Sequence, residues 1–140
     1  MQKESLGNKI PFWLILMALI TALGPITIDM YLPTFPAIAQ DLLVSPHKIE
    51  LTVSSYLLGL SMAQLFIGPI TDRYGRKKPL LFGLGLYLLA TISCALSTSF
   101  EMLLVARTLQ AFGAASCIVI PRAVIRDHYN TQDAAHALSL

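Results

Sequence analysis

Four long apolar windows, separated by short polar stretches, dominate this 140-residue chain. They cover positions 10–28, 51–70, 79–100 and 102–121. Of the chain's ten basic and eight acidic side chains, only Arg107 falls inside a window. Each window is close to the ~20 residues with which an α-helix crosses the hydrocarbon core of a bilayer. A helix bonds its own backbone polar groups and can face lipid, whereas a loop cannot, so segregation this sharp predicts membrane spans. With their flanks, the spans are predicted at 10–35, 47–70, 79–98 and 102–124. Pro33 and Pro36 are placed to end or kink the first. Lys3, Lys9 and the small residues at 21–24 give the first window some likeness to a signal peptide. Its apolar character continues and three more spans follow, so it is read as an uncleaved helix. Beyond the polar stretch 127–133, apolar residues resume at about 134 and predict the start of a fifth helix.

Composition narrows the class. The chain is 55% hydrophobic and 13% charged, with a mean hydropathy of +0.65. Soluble domains carry ~25% charged residues, so a soluble globule is disfavoured and a disordered chain is excluded. The net charge of +2 is too small to suggest a nucleic-acid partner. The placement of charge says more. Lys3, Lys9, Arg73, Arg76, Lys77, Lys78, Arg122 and Arg126 share one side if the helices alternate, against Lys48 alone on the other. The positive-inside rule then puts the N-terminus in the cytoplasm, with outer loops at 31–50 and 97–101.

Inside lipid, helices associate by close backbone approach over small residues. Ser55, Gly59 and Ala63 form such a stripe in span two. Ala111 and Ala115, flanked by Gly113, Ala114 and Ser116, form one in span four, and span three has Gly83 and Gly85. Helix packing, at Gly59 and Gly113 above all, is the plain reading; a smooth sliding surface is the functional one. Cys94 and Cys117 lie within spans and read as small buried side chains. His47, His128 and His136 have no metal-ligand spacing, so no metal or cofactor is expected. No nucleophile–base pair or phosphate loop suggests an enzyme.

Two ionisable residues sit where lipid makes them costly, ~2.5–3.5 kcal/mol at a helix centre. Asp29 lies toward the outer part of span one and can exchange a proton; it could also simply cap the helix near Pro33. Arg107 lies in the outer third of span four. It can hold a fixed positive charge facing Gln110 and Gly113, or it can snorkel to the interface. Antiparallel spans make contact between Asp29 and Arg107 geometrically possible. The most specific stretch is 68–78, read as a loop crowding four cations and one carboxylate between two helices. Gly68 there permits close approach, and Gly75 permits a tight turn with positive φ.

This stretch resembles motif A of the major facilitator superfamily, G-x-x-x-D-R-x-G-R-K/R. Gly68, Asp72, Arg73, Gly75, Arg76 and Lys77 fill its fixed positions. Arg107 to Ala115 resembles motif B, R-x-x-Q-G-x-G-A-A, with Ala111 where glycine is usual. Asp29 to Pro36 is similar to the D-M-Y-L-P-x-x-P stretch of the Bcr/CflA branch of drug/proton antiporters, and Arg122 to Asp127 fits the same branch. The resemblance implies an all-α integral membrane fold, the N-terminal part of a six-helix bundle. It implies a proton-coupled multidrug efflux transporter of the bacterial inner membrane, acting on small amphipathic drugs. Asp29 would be the protonation or cationic-substrate site, Arg107 would tune its proton affinity, Gln110 would belong to the same proton and substrate site, and motif A would gate the cytoplasmic side. Helices five to twelve, which such a transporter needs for one bundle to rock against the other, are missing from these 140 residues. The chain is therefore expected not to transport alone. The alternatives are a small four-helix multidrug transporter acting as a dimer, and a non-transporting remnant.

Overall fold

The computed structural model describes residues 11–128, which are helical throughout apart from short turns. The lysines at 3 and 9, His136 and the fifth-helix start near 134 lie outside the described residues. Helix α1 spans Phe12–Tyr31, a 3-10 turn spans Leu32–Thr34, and α2 spans Phe35–Asp41. Helix α3 covers Pro46–Tyr74, α4 covers Lys77–Ala95 and α5 covers Phe100–His128. Four helical stretches are long and apolar enough to cross a membrane: Phe12–Asp41, Pro46–Tyr74, Lys77–Ala95 and Phe100–His128. The chain is thus an all-α, multi-pass membrane protein.

Two stretches expected as loops are helical. The stretch 31–50 narrows to a turn at 42–45, because the helical path continues past Tyr31 to Asp41. Pro33 falls in the 3-10 turn, and Pro36 sits in the first turn of α2, where its missing N–H removes no helical bond. The prolines bend the path into a tighter turn without ending it. Likewise 68–74 belongs to α3, which runs on through Pro69. Only Gly75 and Arg76 link α3 to α4.

Leu43, in the turn before α3, has a φ of 52° and is 92% exposed. An L side chain in that region costs roughly 1–2 kcal/mol, and Leu43 recovers little of it by packing. Leu43→Gly is therefore expected to raise stability, by about 1 kcal/mol after the extra freedom of an unfolded glycine is counted. A lower melting midpoint for this variant would contradict that account.

Helix α5 is the central post. It packs along both α3 and α4 and, less extensively, along α1, while α3 and α4 barely meet. Its buried face is built from small residues, including Ala106, Ala111, Gly113, Ala114 and Ala115. A Cβ at Gly59 would stand 3.2 Å from the Ala111 methyl and 3.4 Å from the Thr108 carbonyl oxygen. The bare position 59 thus makes room for Ala111, the residue that departs from the motif B glycine. A Cβ at Gly113 would reach the α4 backbone, and one at Gly83 would run into Ser116. Gly85 and Gly68, by contrast, face open space among the described residues.

Hydroxyl pairs tie the helices across these contacts. Tyr31 and Thr52 share a hydrogen bond of 2.7 Å between α1 and α3. Thr27 and Tyr87 join α1 to α4 at 2.6 Å, and Ser55 and Thr108 join α3 to α5 at 2.5 Å. Such bonds average only ~0.6 kcal/mol in membranes. They set orientation more than they supply stability.

Candidate functional site

The small-residue face of α5 carries two large polar side chains, Arg107 and Gln110, one turn apart. Both are buried among the helices: Arg107 is 7% exposed and Gln110 3%. The snorkelling alternative is therefore not what the chain adopts. The Arg107 guanidinium lies over the Tyr31 ring, its central carbon 3.4 Å from the ring centroid. A cation on an aromatic face gains ~2 kcal/mol or more once both are desolvated. Arg107 Nη1 donates to Gln110 Oε1 at 2.9 Å, and Gln110 Nε2 donates to Thr91 Oγ1 at 2.8 Å. The amide thus relays orientation from α4 to the guanidinium. Tyr31 is itself fixed by Thr52.

This assembly opens onto a cavity of about 370 Å³ between α1, α4 and α5. Thr27, Tyr31, Tyr87, Thr91, Arg107 and Gln110 supply its polar lining, and Ile26, Met30 and Leu103 are among its apolar walls. Arg107 Nε and Tyr56 Oη are buried without a hydrogen-bond partner among the described residues. Both residues border one narrow gap beside Ile28, Tyr31 and Val53. No carboxylate among the described residues pairs with Arg107; the ion pairs among them are Arg76–Asp72 and Arg76–Asp127, and His47 shares a hydrogen bond with Glu50. The cavity wall therefore carries a fixed positive charge.

Asp29 does not reach it. Two residues before Tyr31, it is turned roughly 200° around the helix from the ring that holds Arg107. It is exposed and continues a stripe with Ile15, Ala18, Ala22 and Pro25, all unpacked or partly packed. The contact with Arg107 that antiparallel spans would allow is not made in this arrangement.

At the far end of the bundle, Gly75 takes a φ of 80°, and the chain turns from α3 into α4. This turn presents Arg76 to three partners. Its Nη1 lies 3.1 Å from Asp72 Oδ1 and donates to Thr71 Oγ1 at 2.8 Å, while its Nε donates to Asp127 Oδ2 at 3.2 Å. One guanidinium thus joins the end of α3 to the end of α5. Exposed pairs of this kind contribute ~0–1 kcal/mol, so the contact is better suited to setting helix positions than to holding the fold. Arg73 lies over the Tyr74 ring at 5.6 Å, and Lys77 is exposed. Among the described residues, no group of three His, Cys, Asp or Glu side chains could hold a metal ion.

Tyr31, Thr91 and Asp127 are the partners that residue-by-residue reading passes over. Tyr31 stands inside the D-M-Y-L-P stretch, and Asp127 closes the segment after span four, so both were in view without an assigned contact. Only the threonine–tyrosine spacing in α4 hints at Thr91.

The major facilitator superfamily model matches residues 17–140. The chain is 42% identical over 125 residues to the "Uncharacterized MFS-type transporter YdgK" of Bacillus subtilis, covering 89% of this chain and 31% of that protein. It is 39% identical over 118 residues to "Multidrug resistance protein MdtL" of Escherichia coli, covering 84% of this chain and 30% of the relative. No solved structure matches. The chain thus spans under a third of the length of these relatives, and it belongs to the major facilitator superfamily.

Proposed function

We propose that these residues form the first part of a proton-coupled multidrug efflux transporter of the Bcr/CflA type. It would sit in a bacterial inner membrane with its N-terminus in the cytoplasm and would not transport without the helices that follow in its relatives. The observation that carries this reading is Arg107: a buried, permanently charged side chain, held by Tyr31 and Gln110, lining an open cavity within the membrane-spanning helices. A charge so placed is costly in lipid and suits a site where protons or charged substrates are handled. Asp29 supports the reading from the other side of α1. Its carboxylate stands on a face that these four helices leave uncovered, where hydrocarbon would penalise it; protein or a wet cavity belongs there. Arg76, joined to Asp72 and Asp127, supports a cytoplasmic gate. The name of the MdtL relative supports drugs as the substrate class.

The test uses the full-length parent in everted membrane vesicles. A proton gradient should drive accumulation of a cationic dye, and a protonophore should collapse it; accumulation that survives the protonophore contradicts proton coupling. Arg107→Ala should move the pH profile of transport by about one unit, equivalent to ~1.4 kcal/mol of charge coupling. Removing a fixed positive charge favours the protonated form of any carboxyl that helix movement brings toward the cavity, so the profile should move to higher pH. A profile superimposable on the parent's would remove Arg107 from the role.

A further inference from the structure

A second cavity, of about 500 Å³, lies at the other end of the bundle between α3 and α4. The two helices leave the Gly75–Arg76 turn and diverge, each leaning on α5, so the space between them is a cleft closed at the turn. Phe66 and Ile70 form one wall, Phe82 and Leu86 the other, and Phe112 and Ser116 of α5 lie at its floor. Phe66 and Phe82 are exposed, so the cleft opens outward from the bundle.

Its closed end is different in kind. Tyr74 and Lys78 line it, Arg73 lies over the Tyr74 ring, and Lys77 adjoins Lys78. Arg76 is occupied by Asp72 and Asp127, but Arg73, Lys77 and Lys78 have no carboxylate partner among the described residues. Among the described residues, the apolar slot thus ends in a tyrosine and in cations that have no carboxylate partner there. From Lys78 to Leu86 the slot follows α4 for about 12 Å, close to the ~15 Å depth of one leaflet. Charge selects among occupants. A cationic amphipath is repelled at the closed end, and an apolar protein helix would bury the lysine ammonium groups without a counter-charge. An anionic phospholipid satisfies both ends.

We propose that the cleft binds an anionic phospholipid of the adjacent leaflet, one acyl chain between α3 and α4 and its phosphate on Lys78. The inference rests on the membrane placement of these helices and is independent of transport. Trp13 is the chain's one tryptophan and sits at the same end of the bundle, packed on His128, outside the cleft. Trp13 is half-buried, so the native chain sets the background quenching away from the cleft, and a Trp13→Phe, Phe82→Trp chain reports the cleft. Both are placed in phosphatidylcholine vesicles containing equal fractions of acyl-brominated phosphatidylglycerol or acyl-brominated phosphatidylcholine. At position 82 the anionic lipid should quench with about five-fold preference, beyond any preference seen at Trp13. Adding Lys78→Gln should remove that excess while leaving quenching by phosphatidylcholine unchanged. Equal quenching by the two lipids would make the cleft ordinary lipid boundary and overturn the proposal. Absence of quenching at position 82, with Trp13 still quenched, would place protein in the cleft and also overturn it. An anionic preference that survives Lys78→Gln would remove the phosphate from Lys78.

Discussion

Asparagine in place of Asp29 is expected to reduce proton-driven efflux by the full-length parent to background. The substitution keeps the shape and removes the exchangeable proton. Folding should be unaffected, because Asp29 is exposed and no ion pair among the described residues involves it. Asp29→Glu restores the proton one methylene further out and should recover part of the activity. Dye binding at equilibrium separates the two roles proposed for the carboxyl. Binding retained by Asp29→Asn assigns it to the proton, and binding lost assigns it to the cationic substrate. Efflux by Asp29→Asn at the parent's rate would sink the assignment outright. The geometry sharpens what this variant tests. Because Asp29 and Arg107 lie on different sides of α1, the two cannot be one ion pair in this arrangement, and any coupling between them requires helix movement.

The second large effect concerns the fold. Gly113→Ala should separate α4 from α5. A methyl there would stand 2.5 Å from the Tyr87 amide nitrogen, 2.7 Å from its Cα and 2.8 Å from the Gly83 carbonyl oxygen. All three are backbone atoms, so no side chain can swing aside and the helix itself must move. Overpacking costs typically ~1–3 kcal/mol, and here it strikes the contact that also carries Gln110 to Thr91. Gly85→Ala is the matched control. Its Cβ meets nothing within 4 Å, so the gain in helix propensity, up to about 1 kcal/mol, should appear undiminished. Cys117 is fully buried, so in a Cys94→Ser background thiol labelling on heating reads the unfolding of both variants. A Gly113→Ala chain that melts with the parent would refute the α4–α5 crossing described above.

Much of the fold was legible because lipid imposes a strong local rule. A charge or an open backbone is so costly in hydrocarbon that the spans announce themselves one at a time, without knowledge of their neighbours. Arg107 and Gln110 were legible for the same reason, as polar residues in a stretch that tolerates few. The end of α3 was misread as a loop because Gly68, Pro69 and Gly75 carry turn signals. In a helix packed on α5, Pro69 is tolerated, and only Gly75, at positive φ, stops it.

Partners were less legible, since they come from other helices at sequence distances that no local rule spans. That Arg107 lies on Tyr31 depends on how α1 crosses α5. That Arg76 reaches Asp127 depends on the ends of α3 and α5 meeting. The face taken by Asp29 follows from which side of α1 the other helices cover. The amino-acid sequence alone determined that this is a membrane protein with these spans and these costly charges, because burial in lipid is priced residue by residue. Only the tertiary structure decided which charges are held, which are left open and where the clefts fall, because packing places side chains together by the crossing of whole helices.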